Sequence, residues 1–79
     1  MKIVLKHRIT PIKNGYRAEN EQLRGVAHGL YPEMARRNLQ QVALHLFSPF
    51  ERSGTLRDEI GLAGLEANDD GYGRTVEVV

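Results

Sequence analysis

Residues 23–47 read LRGVAHGLYPEMARRNLQQVALHLF, a short apolar strand and a glycine-bounded turn followed by an amphipathic helix. Pro32 favours a helix start, because its missing N–H would be unpaired in the first turn and its φ is already helical. Glu33 follows where the positive end of the helix dipole favours a carboxylate. Apolar residues then recur with the 3.6-residue period of a helix that packs one face on a core: Ala35, Leu39, Val42, Ala43, Leu46 and Phe47.

Three strands are predicted up to this helix. Residues 2–10 alternate between apolar and basic side chains, which is typical of a half-buried strand. Asn14 and Gly15 predict a hairpin, since both tolerate the positive φ of a type I′ turn, so residues 16–20 should return antiparallel. Residues 23–27 give the third strand. The side chains expected to face the helix are Ile3, Leu5, Ile9, Tyr16 and Val26.

The second half of the chain predicts smaller elements. Pro49 should end or kink the helix at residues 48–50, because the residue before a proline avoids helical geometry. A short helix is expected over residues 56–62, with Thr55 as its N-cap. The turn residues Asn68, Asp69, Asp70 and Gly71 should close a hairpin between residues 65–67 and 74–79.

Together these elements predict one α+β domain over residues 1–79. It consists of a three-stranded antiparallel sheet packed by one main helix, followed by a short helix and a C-terminal strand or hairpin.

Composition limits the chemistry of this domain. The chain has 79 residues and no Cys, and its three His residues are far apart in sequence, so we expect no disulfide, no metal site and no cofactor. No apolar run approaches the roughly 18 residues that span a bilayer, so we expect a cytoplasmic protein without a membrane partner. Small domains of this kind have marginal stability alone, which favours a homodimer or homotetramer.

Charge is unevenly distributed along the chain. Residues 1–40 hold eight Lys and Arg against three Glu, whereas residues 41–79 hold three Arg against seven acidic residues. Such a chain can steer a charged partner to one face or pair head to tail with itself. Folding can also interleave the two halves.

Several residues are candidates for binding rather than catalysis. Those for a protein partner are His28, Arg36, Arg37, Leu44 and Phe50; those for phosphate are Lys6, Arg8 and Lys13. Leu44, Phe47, Phe50 and Leu56 provide more apolar surface than one small core requires, so the second helix or another subunit should cover them. His28 beside Gly29 can contact a partner, but a residue at this position is more often a surface or capping residue. The basic residues lack an aromatic platform beyond Tyr16, so a solvated sheet edge is the more common explanation, and nucleic acid is not indicated.

The acidic residues do not suggest a nuclease. The first predicted strand has no Asp, while Asp58, Asp69 and Asp70 fall in a cap and a turn, where Asp is common on structural grounds. We therefore predict that the chain is not an enzyme.

One motif run points to a family. The order Gly25-Val26-Ala27-His28-Gly29, then Pro32-Glu33, Ala35 and Asn38-Leu39, resembles the HicB-like antitoxin domain. Gly15-Tyr16-x-Ala18 resembles the second strand of that family, and Ala63-Gly64-Leu65-Glu66 with the Val-rich end resembles the tail of its short members. The chain departs from the pattern at Arg24, Tyr31 and Met34, where the family often has Pro, Thr and Glu.

The resemblance implies a β-β-β-α, partial RNase-H-like domain that is often dimeric or tetrameric. It also implies binding to a small toxin protein that cleaves messenger RNA. Longer members carry a C-terminal DNA-binding module, and we expect this chain to be a short member without one. The alternative is a free-standing homo-oligomeric domain of regulatory role, with weak nucleic-acid binding through the basic N-terminal hairpin.

Overall fold

The computed structural model describes residues 1–68 and 74–79, which form an α+β fold of two three-stranded sheets and two helices. In chain order the elements are β1 (Lys2–Leu5), β2 (Arg8–Ile12), β3 (Gly15–Asn20), β4 (Gly25–Gly29), α1 (Pro32–Ser53), α2 (Leu56–Ala63), β5 (Glu66–Asn68) and β6 (Thr75–Val78). Sheet A has the order β5-β1-β6, with β1 antiparallel to β5 and parallel to β6. Sheet B has the order β2-β3-β4 and is antiparallel throughout. The predicted three-stranded sheet under one main helix is therefore confirmed as sheet B and α1.

The prediction of one strand over residues 2–10 is wrong. The chain leaves sheet A after Leu5 and enters sheet B at Arg8, so the predicted strand is two strands in different sheets. Asn20, which is buried, stabilises this break: its Nδ2 donates to the Lys6 carbonyl at 2.7 Å, and its Oδ1 accepts from the Leu23 N–H at 2.7 Å. One side chain of sheet B thus fixes the junction between the two sheets.

The hairpin between β2 and β3 is confirmed, but its turn is not type I′. Ile12 pairs with Gly15, so the loop is Lys13 and Asn14, and of these only Asn14 has a positive φ, 66°. Gly15 is needed for close packing instead, because a Cβ there would lie 2.6 Å from the Gly29 carbonyl oxygen. Pro11 is tolerated inside β2 because β2 is an edge strand.

The third predicted strand, β4, begins at Gly25 rather than Leu23, because a turn closed by the Arg24 N–H to the Glu21 carbonyl precedes it. Gly25 and Ala27 are buried against α1, whereas Val26 is 44% exposed, so its predicted place in the core is wrong. Because side chains alternate along a strand, burial of Gly25 and Ala27 places Val26 on the opposite face.

Helix α1 begins at Pro32 as predicted but continues through Pro49 to Ser53. Of the two outcomes predicted for residues 48–50, an end or a kink, the end is therefore wrong. The helix ends at Gly54, which has a left-handed φ of 77° and donates its N–H to the Glu51 carbonyl at 3.2 Å. The buried helix residues are Ala35, Leu39, Ala43 and Phe47, while Leu46, predicted to be in the core, is 41% exposed.

Two side-chain amides join α1 to an edge strand of each sheet. Asn38 Nδ2 donates to the His28 carbonyl of β4 at 2.7 Å, and Gln40 Nε2 donates to the Val76 carbonyl of β6 at 2.7 Å. Residues two apart in a helix point about 200° from each other, so the amides leave opposite sides of α1. The helix therefore bonds to both sheets.

Helix α2 confirms the predicted short helix, with Thr55 at the N-cap position. The Thr55 hydroxyl makes no capping bond and instead lies 2.8 Å from the Ser53 hydroxyl. The predicted C-terminal hairpin is wrong, because β5 and β6 both pair with β1, which lies between them. The part of the predicted turn at Asp69, Asp70 and Gly71 lies outside the described residues.

One apolar cluster connects the sheets and the helices. Its buried members are Ile3, Leu5, Ala18, Ala27, Ala35, Leu39, Ala43, Phe47, Ile60, Leu65 and Val76. Neither helix in the described residues combines the length and the apolar character needed to cross a membrane.

Candidate interaction surface

Sheet B has one face that points away from α1, and we call it the outer face. Along β3 and β4 the residues that alternate with Ala18 and Ala27 point to this side. Strand pairing arranges it in rows across β2, β3 and β4: Arg8–Glu19–Val26, then Thr10–Arg17–His28, then Ile12–Gly15. His28, one of the predicted partner-binding residues, is exposed on β4 at the edge of this face.

Two arginines on the outer face share one carboxylate. Arg8 Nη2 lies 3.0 Å from Glu19 Oε1, and Arg17 Nη2 lies 3.9 Å from the same oxygen. Arg17 Nε is buried and has no hydrogen-bond partner. Exposed ion pairs of this kind contribute about 0–1 kcal/mol to stability. Because two arginines share one carboxylate, the cationic groups of this face are incompletely paired.

Aliphatic side chains border these charges. Besides Val26, Ile12 is 37% exposed and Leu30, just after β4, is 71% exposed. Leu30 lies beside Gly15, since a Cβ on Gly15 would be 3.7 Å from the Leu30 Cα atom. Ile12 and Leu30 therefore flank the backbone of Gly15, beside the Gly29 carbonyl, at one end of the face. Exposed apolar groups mixed with arginine are characteristic of protein interfaces.

A separate, concave region lies between α1 and β6 and has a volume of about 510 Å³. Its lining includes the predicted residues Arg36 and Arg37 together with Glu33 and Gln40. Arg36 is already engaged, because its Nε donates to His7 Nε2 at 3.1 Å. His7 Nδ1 in turn donates to the Val79 carbonyl at 2.6 Å. Both nitrogens of His7 thus have partners within the fold.

The remaining predicted partner residues lie elsewhere. Leu44 is half-buried and packs against the core. Phe50 is also half-buried, and it lies in the last turns of α1. Phe50 is thirteen residues from Arg37, which corresponds to about 20 Å along the helix. The structure therefore brings Arg36 and Arg37 together but separates them from Phe50 and from His28 on the outer face.

The predicted phosphate residues are also dispersed. Lys6 lies at the junction of β1 and β2, Arg8 begins β2 beside Glu19, and Lys13 occupies the turn at the far end of that strand. Lys13 is five positions after Arg8 along the chain, which corresponds to a distance of about 17 Å in an extended strand. All three side chains are exposed, but they do not form one concentrated anion site.

Sequence reasoning missed Ile12, Arg17 and Leu30 as members of a surface. The signal for Ile12 and Arg17 was the period-two alternation along β2 and β3. Leu30 was missed because it falls in the connection between β4 and α1. Across the described ranges 1–68 and 74–79, no group of three or more His, Asp and Glu side chains could hold a metal ion.

No protein-family model, curated protein or solved structure matches this chain. The resemblance to HicB-like antitoxins therefore stays a prediction that rests on the motifs alone.

Proposed function

We propose that this chain is an antitoxin-type interaction module that binds and masks a small RNA-cleaving toxin protein in the cytoplasm. The fold would be a partial RNase-H-like domain of β-β-β-α type, formed by β2, β3, β4 and α1. The chain would act by binding, not as an enzyme.

The observation that carries this proposal is the uncovered outer face of sheet B. Val26, Ile12 and Leu30 expose aliphatic groups around Arg17 and His28. Burial of apolar area contributes roughly 25 cal/mol per Å², so covering these side chains with a partner would stabilise a complex. The second source of support is the motif resemblance, because the residues of the motif build the scaffold under this face. Gly29 lets the first turn of α1 approach β4, and Asn38 bonds to the His28 carbonyl of β4.

The test is co-expression of the chain with the product of the adjacent small reading frame, followed by purification of the complex. We expect a stable complex that suppresses RNA cleavage by the partner. The variant Val26→Glu should weaken capture at least tenfold, because it places a carboxylate in the apolar contact. Leu46→Lys is the matched control, since Leu46 is similarly exposed but lies on α1. The proposal is wrong if no neighbouring product binds, or if the two variants capture it equally well.

A second candidate function is weak nucleic-acid binding by a free-standing homo-oligomeric domain. It is favoured by Arg17, whose cationic group adds to the basic hairpin and is only distantly paired with Glu19. A salt titration of RNA binding discriminates the two functions, because phosphate contacts predict a steep loss of affinity as salt rises. Binding that is absent or insensitive to salt would eliminate this candidate.

A further inference from the structure

Helix α2 carries an exposed aliphatic side chain that the fold does not use. Leu62 is 82% exposed, and Asp58, four residues earlier, is exposed as well. Residues four apart lie on one side of a helix. Helix α2 therefore presents an apolar group and a carboxylate together, about 6 Å apart along its axis.

This pair cannot meet the apolar end of the outer face within one chain. Gln22, in the turn between β3 and β4, donates to the Gly64 carbonyl at 2.8 Å, so the end of α2 lies beside that turn. Ile12 and Leu30 lie at the opposite end of sheet B, near Gly15. The six residues of β3 separate the two ends by about 17–20 Å.

We propose that two copies of the chain associate head to tail, with α2 of one copy on the outer face of the next. Leu62 packs on the backbone of Gly15 between Ile12 and Leu30, and Asp58 pairs with Arg17. The spacings agree: Gly15 and Arg17 point to the same side of β3 and are about 7 Å apart, close to the helical spacing of Leu62 and Asp58. Asp58 also supplies a carboxylate to an arginine that Glu19 approaches only to 3.9 Å.

Charge favours this arrangement over a face-to-face dimer. Two outer faces would bring Arg8 and Arg17 of one copy toward the same residues of the other, which costs energy. Around α2 the acidic residues Asp58, Glu59 and Glu66 outnumber Arg57. The contact joins two different surfaces, so it continues as a chain or closes as a ring rather than stopping at two copies.

Analytical ultracentrifugation of the protein alone tests the proposal. The contact is smaller than the roughly 1,200 Å² of stable complexes, so measurements should extend to about 500 µM. We expect the weight-average mass to rise to at least twice that of one chain. Leu62→Lys removes the α2 side of the contact and Leu30→Lys removes the sheet side, so each variant should remain monomeric. Both leucines are highly exposed, and circular dichroism should show unchanged folding.

The decisive measurement is an equimolar mixture of these two variants. One intact contact remains between them, formed by the sheet of Leu62→Lys and the α2 of Leu30→Lys, so the mixture should stop at a mass of two chains. Leu46→Lys should associate like the wild type. The proposal is overturned if the wild type stays monomeric, if either variant associates alone, or if the mixture does not form dimers.

This inference does not depend on the toxin partner. Because Leu62 lies outside the outer face, Leu62→Lys should lose self-association and still capture the product of the adjacent reading frame. Loss of both by Leu62→Lys would contradict the assigned contact. Failure of the wild type to capture any partner would affect only the proposed function.

Discussion

Replacing Asn20 by alanine should lower the free energy of unfolding by about 2–3 kcal/mol. Asn20 is 3% exposed, and its side chain makes two 2.7 Å hydrogen bonds, to the Lys6 carbonyl and from the Leu23 N–H. A buried backbone group left without a partner costs roughly 1–3 kcal/mol. A cavity of about 350 Å³ borders Asn20 and Lys6, so water can reach part of this region. The summed cost of the two unpaired backbone groups should therefore lie in the lower half of the range that two such groups allow.

Urea unfolding followed by circular dichroism measures this loss directly. For a domain of this size, this loss of unfolding free energy corresponds to a fall of roughly 10–20 °C in Tm. The comparison variant is Gln22→Ala in the same turn, whose exposed side chain donates to the Gly64 carbonyl at 2.8 Å and accepts only a long, 3.4 Å bond from Asn20 Nδ2. That change should cost at most about 1 kcal/mol. Equal losses in the two variants would refute the role assigned to Asn20 at the sheet junction.

The variant Asn20→Asp tests the same geometry through pH. A carboxylate keeps the acceptor for the Leu23 N–H but places an oxygen against the Lys6 carbonyl, whereas the protonated acid can donate to that carbonyl. The folded state therefore raises the pKa of the introduced carboxyl above its unfolded value. The difference in unfolding free energy between Asn20→Asp and wild type should be large at pH 7 and shrink as pH falls through the raised pKa. A difference that stays constant down to about pH 4, near the unfolded pKa of Asp, would contradict this contact.

Three further substitutions address the ends of α1 and the strand before it, each measured by chemical denaturation. Gly29→Ala should cost about 1–3 kcal/mol through overpacking, because the new Cβ would lie 2.4 Å from the Ala35 nitrogen; an unchanged midpoint would show that α1 can shift away. Tyr31→Ser should gain about 0.5–1 kcal/mol, because Tyr31 has extended N-cap geometry without a capping bond; a loss would mean that the Tyr31 ring has a packing role. Pro49→Ala should gain about 1–3 kcal/mol by restoring an N–H inside α1, and no gain would mean that the proline limits the unfolded chain by a similar amount.

The start of α1 was predictable because it depends on local chemistry, whereas its end was not. Pro32 provides a favourable first residue, and the apolar period follows directly from it. Pro49 is unfavourable locally, yet Phe47 just before it is buried and the helix continues to its left-handed C-cap at Gly54. The packing of Phe47 and the cap at Gly54 are features of the folded chain, so the local rule for Pro49 could not anticipate them.

The division of the first strand was hidden for a different reason. The alternation of residues 2–10 continues through the break, so the pattern gives no sign that the chain changes sheets at Lys6 and His7. The junction depends on Asn20, fourteen residues from Lys6 in sequence. The separation of β5 from β6 is likewise decided by a distant element, because β1 takes the place between them.

The outer face follows from how closely α1 packs on sheet B. The inward positions of β4 and the middle of β3 hold small residues, Gly25, Ala27 and Ala18, and Gly29 has no room for a Cβ against the helix. A larger side chain such as Val26 must therefore point outward. The same close packing that made the inward prediction for Val26 wrong is the cause of the exposed apolar surface.

Inward and outward residues of β4 have different roles, and this difference limits what the HicB-like motifs can indicate about function. Gly25, Ala27, Gly29 and Asn38 all serve the contact between β4 and α1, so they specify a scaffold. The residues interleaved with them, such as Val26, point away from the helix and are free of that constraint. A chain that kept the first set and changed the second would have the same fold and a different partner. In the proposed function the outward residues would select the partner, which is why the decisive experiments change exposed aliphatic side chains rather than the glycines.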